Sequence, residues 1–318
     1  MGQRICFGII KKMERANSII EAKNLSKKFG SFTAVDNVSF QVEKGEFFGL
    51  LGPNGAGKTS VIRMMYGFSP LSSGSMKVFG LDIKTGWRDI RSRIGVCQQE
   101  NTLDPDLSVE KNLIVFAGYY RVPRKEALQR TDELLDFFAL NHKRQDQVSQ
   151  LSGGMVRRLM LARSMINNPS LIILDEPTTG LDPQSRHQVW DKMRDLRSRG
   201  MTLVLTTHYM EEAANLCRRL IIMDKGRILV QGGPEELIHR YAGTSVIEVE
   251  NPGRDLKEFI RQKKIRHEEL INRLIVYTDD LDGLGRVIRD RFCPEKCLFR
   301  SGTLEDVFLR LTGRELRE

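Results

Sequence analysis

Three short runs along the chain are almost wholly apolar: residues 171–174 (LIIL), 203–205 (LVL) and 220–223 (LIIM). Runs of that length with no polar face suit parallel strands covered on both sides. Helical spacing lies between them. Val189, Met193 and Leu196 recur on one helical face, with Gly200 as the stop. Met210, Ala213, Ala214 and Cys217 repeat that pattern in the next segment. Strands alternating with helices predict an α/β core with a mainly parallel sheet. Upstream, residues 19–23 and 35–42 read as strands, and Lys44-Gly45 turns the second into residues 46–51 as a hairpin-like connection.

From about residue 106 to 169 strand runs are absent, and residues 109–120, 124–139 and 152–167 read as helices. This predicts a helical insertion into the α/β core. The pattern changes again after Gly243. Residues 246–249 and 274–277 read as strands, and 256–263 and 281–291 as helices. Thr303 caps a last helix over 304–311, with Asp306 closing a capping box. The expected organisation is an N-terminal extension (1–18), a main domain (19–243, helical part about 106–169) and a small α+β accessory domain (244–318).

A length of 318 residues fits about two domains. Hydrophobic residues at 40% are enough for sizeable cores, and no apolar run approaches the roughly 18–20 residues of a membrane span. The net charge of +9 suits an anionic partner or simply a solvated basic surface. Cys6, Cys97, Cys217, Cys293 and Cys297 are odd in number and unpatterned, as expected of reduced thiols. Cys293 and Cys297 lack the further ligands a zinc site needs. The opening residues lack the length of a signal-peptide core, and Met13 is the expected start of the native chain.

The chemistry is concentrated in Gly52-Pro53-Asn54-Gly55-Ala56-Gly57-Lys58-Thr59, with Ser60 following, between an apolar strand and a helix. Glycines let successive backbone N–H groups turn toward phosphate oxygens, and the helix N-terminus adds its positive end. Lys58 can reach β- and γ-phosphates, and the Thr59 hydroxyl can ligate Mg²⁺. A second constellation is Asp175-Glu176, two carboxylates at the C-terminal end of the 171–174 strand, where open α/β sheets bind ligands. Asp175 is placed to hold hydrated Mg²⁺. Glu176 points differently and can polarise an attacking water, or alternatively cap a helix.

These segments resemble the Walker A and Walker B motifs, and Leu151-Ser152-Gly153-Gly154-Met155 between them resembles the signature of ATP-binding cassette (ABC) ATPases. The other family elements fall in order: Phe29 as the adenine-stacking aromatic, Gln99 as the Q-loop glutamine, Gly180-Leu181-Asp182 as the D-loop and His208 as the switch histidine. The resemblance covers about residues 19–240. It implies a P-loop ABC cassette fold, with a mainly parallel core, an antiparallel β part and a helical insertion. It also implies ATP and Mg²⁺, with Thr59, Gln99 and Asp175 toward the metal. Glu176, His208, Lys58 and Gln99 are the implied catalytic groups. A head-to-tail homodimer is implied too, in which Ser152, Gly153 and Gly154 of one copy face ATP bound by the other, with Asp182 beside it. Ser152 fits as the N-cap of a helix whose buried stripe is Met155, Leu159, Ala162 and Ile166.

Four longer segments resemble the DrrA/NodI-like exporter branch: LSGGMVRRLMLAR (151–163), LDEPTTGLDP (174–183), TTHYMEEA (206–213) and TLEDVFLRLTGRE (303–315). That branch implies an ABC-2-type integral membrane permease as partner, a peripheral place on the cytoplasmic face of the membrane, and export of a lipo-oligosaccharide or hydrophobic drug. The sequence departs from the family at Gln98, where Pro is usual and which competes with Gln99, at Val156, and at Phe29, where Tyr is commoner. A soluble ABC ATPase acting on nucleic acid or ribosomes is the alternative. Such members usually carry two cassettes, coiled coils or zinc modules, so no nucleic acid is expected here. The accessory domain can regulate the cassette, extend the dimer or touch the permease.

Overall fold

The computed structural model describes residues 18–292 and 296–313. The expectations placed on Cys6, Met13 and Cys293 lie outside these described residues. Strands β1 (Ser18–Phe29) and β2 (Phe32–Glu43), with β4 (Ser73–Val78) and β5 (Leu81–Asp82), form an antiparallel sheet ordered β2-β1-β4-β5. The central sheet takes β3 (Phe47–Leu51), β6 (Ile94–Cys97), β7 (Leu171–Asp175), β8 (Thr202–Thr207), β9 (Arg219–Asp224) and β10 (Arg227–Gly232). Its order is β10-β9-β3-β8-β7-β6, parallel throughout except for β10.

The apolar runs explain this sheet directly. Side chains alternate across a strand, so a run with no polar position needs cover on both faces. Phe47, Ile172, Leu174, Leu203 and Leu205 face one core, while Phe48, Leu171, Ile173 and Val204 face another. The first core lies under the helices and the second under the antiparallel sheet, where Phe40 of β2 stacks on Phe48 of β3 with centroids 5.7 Å apart.

Two strand expectations change. The turn after β2 is tight, with Glu46 N donating to Glu43 O, but it does not make a hairpin. β2 has one buried face and stays in the outer sheet, whereas β3 is buried on both and enters the central one. β1 runs to Phe29, past the predicted end at residue 23, through register shifts between Ala22 and Leu25 that break the simple alternation.

Helices α1 (Lys58–Met65) and α2 (Trp87–Ser92) precede the helical part, which comprises α3 (Val109–Tyr119), α4 (Arg124–Phe137) and α5 (Gly153–Met165). α6 (Pro183–Ser198) and α7 (Met210–Leu216) follow β7 and β8, and α8 (Pro234–Ala242) follows β10. On α7 the predicted face is corrected: Ala214 is exposed, and Glu212 takes a fully buried place beside Ala213 and Leu216.

Residues 245–301 supply a third sheet of β11 (Ser245–Glu250), β12 (His267–Glu269), β13 (Arg273–Thr278) and β14 (Cys297–Ser301), ordered β12-β13-β11-β14 and antiparallel. Helices α9 (Arg254–Gln262) and α10 (Leu281–Phe292) pack on it around Ile247, Ile260, Leu274 and Ile288. The last helix, α11 (Leu304–Thr312), behaves differently. Leu304, Val307 and Phe308 enter the core that holds α5, α6 and α7, and α11 packs against α7 and α8. Its start is fixed by Asp306, which accepts from the Thr303 backbone N–H at 2.8 Å and from both arms of the Arg300 guanidinium at 2.7 and 2.8 Å. Among the described residues no helix is long and apolar enough to cross a membrane.

Because Phe308 is 1% exposed within the core shared with α5, α6 and α7, Phe308→Ala should destabilise the whole protein by about 3–5 kcal/mol in denaturant titration. A change confined to a minor transition of the C-terminal part would contradict that placement.

Candidate active site

β3 ends at Leu51 and α1 begins at Lys58, so the glycine-rich loop spans the top of the central sheet. Close approach dictates its composition. A Cβ on Gly52 would lie 2.2 Å from the Met223 carbonyl oxygen, and one on Gly57 would lie 2.5 Å from that of Ala34. Gly57 also sits at φ +99°, a region that favours glycine. No side chain caps α1, so its first N–H groups are left to point at a ligand. Lys58 Nζ donates to Gly52 O at 2.8 Å and Pro53 O at 3.1 Å.

The neighbouring strand β7 brings Asp175 and Glu176 to the same edge. Asp175 Oδ1 accepts from the Thr206 hydroxyl at 2.5 Å and the Thr59 hydroxyl at 3.3 Å. Burial pushes the Asp175 carboxyl above its usual range, and the Thr206 bond works against that shift. Glu176 has φ +45°, held by its N–H, which donates to Thr206 O at 3.0 Å. The left-handed backbone turns the side chain away from Asp175's direction and over Lys58. Four polar groups meet its carboxylate: Lys58 Nζ at 3.4 Å from Oε1, and His208 Nδ1 at 3.2 Å, Thr179 Oγ1 at 3.2 Å and Gln99 Nε2 at 3.3 Å from Oε2. Burial lowers the Lys58 ammonium pKa, while the Glu176 carboxylate pulls it back up.

The other candidates take separate places. Gln98 is turned into a cavity of about 310 Å³ with Tyr66, Phe68, Arg91, Phe116 and Tyr120, so of the two glutamines it is Gln99 that touches Glu176. Phe29 is exposed at the end of β1, with Lys27 Nζ 4.8 Å from its ring centroid. Asp182 caps α6, accepting from Ser185 N at 2.9 Å. Hydrogen bonds from the Ser185 hydroxyl and backbone N–H hold its carboxyl below the usual range. No helix starts at Glu176, so capping is Asp182's part.

Ser152 caps α5 by accepting from Met155 N at 3.3 Å, and Gly153 beside it is exposed. Gly154 lies against α6, where a Cβ would come 2.6 Å from Ser185 Oγ. Among the described residues no hydrogen bond joins this turn to the 52–59 loop. Of the expected stripe on α5, Leu159, Ala162 and Ile166 are fully buried and Met155 half so.

Sequence reasoning missed Arg157, Thr179 and Thr206. Buried Arg157 reaches from α5 to donate to the main-chain carbonyls of Gln98 at 2.8 Å and Gln99 at 3.0 Å, tying the helix capped by Ser152 to the strand end that presents Gln99. An arginine in a buried stretch of helix was the available signal. Thr206 stood out only as a polar residue closing an apolar strand.

The family profile described as "ABC transporter" matches residues 35–179. The chain is 43% identical over 300 residues to a "Nod factor export ATP-binding protein I" of Burkholderia thailandensis, covering 94% of this chain and 98% of that protein. It is 44% identical over 306 residues to the protein of that name from Sinorhizobium fredii, covering 96% and 89%. Among solved structures it resembles cbiO1 of Clostridium perfringens, part of the ABC transporter complex cbiONQ, with TM-score 0.65, 26% identity and 70% and 90% coverage. It also resembles a dimeric ATP-binding cassette in a post-hydrolysis state with ADP and Pi, with TM-score 0.61, 26% identity and 67% and 98% coverage.

Gly57→Ala should weaken ATP binding by at least about tenfold and lower the thermal midpoint, since the new methyl meets a backbone oxygen at a strained φ. Gly118→Ala on α3, with nothing within 4 Å of the added carbon, should leave binding unchanged and stability equal or up to about 1 kcal/mol higher. Nucleotide titration and calorimetry of the two variants check the contrast.

Proposed function

The chain belongs to the ABC transporter ATP-binding family and is an ATPase, and on that premise we propose that it drives export through a separate membrane permease. The observation carrying the catalytic reading is the convergence of Lys58, His208 and Gln99 on the buried Glu176 carboxylate. In the proposed reaction a water oxygen bonds to the γ-phosphorus while the bond to the β–γ bridging oxygen breaks, leaving ADP and phosphate. Catalysis is then mainly positioning and charge stabilisation.

Each group has a part that its position supports. The 52–59 loop, Lys58 and Ser60 hold the phosphates through N–H and ammonium donors, and exposed Phe29 offers a stacking face to adenine. The Thr59 hydroxyl and Asp175 carboxylate lie 3.3 Å apart, an oxygen donor pair that fits Mg²⁺. Gln99, whose Nε2 is on Glu176, would offer its amide oxygen to that set. Bound Mg²⁺ supplies charge neutralisation at the phosphate oxygens. Glu176 polarises the attacking water, and His208 orients it against the γ-phosphate. The exposed Ser152–Gly153 turn, with Gly154 and Asp182, meets ATP held by a second copy arranged head to tail.

Export is supported by likeness to the two Nod factor export proteins across 94–96% of the chain, including the C-terminal part. We place the chain on the cytoplasmic face of the membrane, peripheral, with an ABC-2-type permease as partner and a lipo-oligosaccharide or similarly hydrophobic compound as cargo. Exposed Phe68 lines the cavity beside Gln98, and exposed Val115 and Tyr119 line an adjoining one that shares Thr102, Phe116 and Arg163 with it, giving an apolar face near the Gln99 segment on which such a permease can rest.

Glu176→Gln should retain ATP, accumulate as a dimer in its presence and lose roughly 10²-fold or more in turnover. Steady-state hydrolysis and size-exclusion chromatography check this. Unchanged hydrolysis would remove Glu176 from its assigned role, and co-purification of ribosomes or DNA instead of a multi-span membrane protein would overturn the export reading.

A further inference from the structure

Glu212 lies four residues beyond His208, in the first turn of α7, and is fully buried. A buried carboxyl is costly unless it is hydrogen-bonded. Its Oε1 accepts from the Thr178 hydroxyl at 2.6 Å and from the Trp190 indole N–H at 3.0 Å, both groups themselves buried. The Thr207 hydroxyl also faces the carboxyl, and Oε2 has no aligned hydrogen-bond partner. Burial pushes this carboxyl above its ordinary range, with Arg186 the nearby charge opposing that shift.

The partners fix what such a brace does. Thr178 is two residues past Glu176, in the loop running from β7 to Asp182. Thr179 in that loop donates to Glu176 Oε2 at 3.2 Å, and Leu181 N donates to Thr178 O at 3.2 Å. Trp190 belongs to α6, the helix that Asp182 caps. Glu212 itself belongs to the helix that follows His208. One carboxyl therefore joins the loop carrying Glu176 to the segment carrying His208 and to the helix behind them. Glu176 is held at a left-handed φ of +45°, a conformation that persists only where its surroundings enforce it. The phosphate-facing loop and Lys58 belong to other elements, β3 and α1.

We infer that Glu212 is a positioning residue for ATP hydrolysis: by gripping Thr178 and Trp190 it sets the separation of Glu176 from His208, and so acts on turnover rather than on nucleotide affinity. This rests on the assignment of Glu176 above. It gives the buried glutamate a reason to exist at a place where an apolar residue would pack at less cost.

The test is steady-state ATPase kinetics of the full chain carrying Glu212→Leu, Glu212→Gln, Thr178→Val or Trp190→Phe. Glu212→Leu keeps the volume and removes the acceptor, and should lower kcat by about tenfold or more with KM for ATP within about twofold. Glu212→Gln keeps an acceptor oxygen and should restore most of kcat. Thr178→Val and Trp190→Phe each remove one donor and should lower kcat by smaller factors. Combining Thr178→Val with Glu212→Leu should lower it no further than Glu212→Leu alone. If Glu212→Leu fails to fold, the two donor variants and Glu212→Gln decide the matter. Full kcat in the folded Leu variant or in both donor variants, equal losses for Gln and Leu, or a rise in KM in place of a fall in kcat would each overturn the inference. If Glu176→Gln retains full hydrolysis, the assignment beneath it fails instead. If Glu176→Gln is inactive while Glu212→Leu is fully active, only the brace fails.

Discussion

Two carboxylates at the end of a buried strand set the terms for everything near them. Asp175 and Glu176 are adjacent in sequence and almost out of reach of water, where unpaired charge is expensive. The fold separates them by giving Glu176 a left-handed backbone, so that Asp175 turns to the Thr59 and Thr206 hydroxyls and Glu176 to Lys58, His208, Thr179 and Gln99. The partners come from four places in the chain: Lys58 with Thr59, Gln99, Thr179, and Thr206 with His208. The order of strands in the central sheet follows as a requirement: β3 brings Lys58, β8 brings Thr206 and His208, and β6 brings Gln99 to one edge.

In the proposed head-to-tail dimer this arrangement is one half of a site. Ser152 and Gly153 stand exposed at the start of α5, seated on the α6 turn of their own chain and not on its glycine-rich loop. A helix N-terminus with exposed N–H groups is a place for anionic oxygen. Arg157 lies one turn further along and grips the carbonyls of Gln98 and Gln99. What α5 meets on the surface is therefore mechanically joined to what Glu176 meets inside. In the proposed head-to-tail dimer, dimer formation and hydrolysis would be two ends of one set of contacts.

Much of this was legible in the sequence because it is local. The glycine-rich loop is spelled out in eight consecutive residues, and the central strands announce themselves by having no polar face. Thr303 and Asp306 likewise pair across three positions, although the helix they start packs its Phe308 into the cassette core, which no local pattern discloses. What stayed hidden depends on distant partners. Arg157 finds main-chain carbonyls 58 and 59 residues away, which leave no mark in residue type. The face of Met210, Ala213, Ala214 and Cys217 leaves Glu212 out, and only the tertiary placement of Thr178 and Trp190 gives its carboxyl an interior place. β1 was read short because its bulged register interrupts the alternation that identifies a strand.

The central claim is that this chain hydrolyses ATP only when two copies complete each other's sites. The most direct measurement is specific ATPase activity against protein concentration, spanning the range over which light scattering sees monomer pass to dimer. The expected result is specific activity that climbs with concentration and follows the dimer fraction. Constant specific activity down to concentrations at which the protein is wholly monomeric would contradict it.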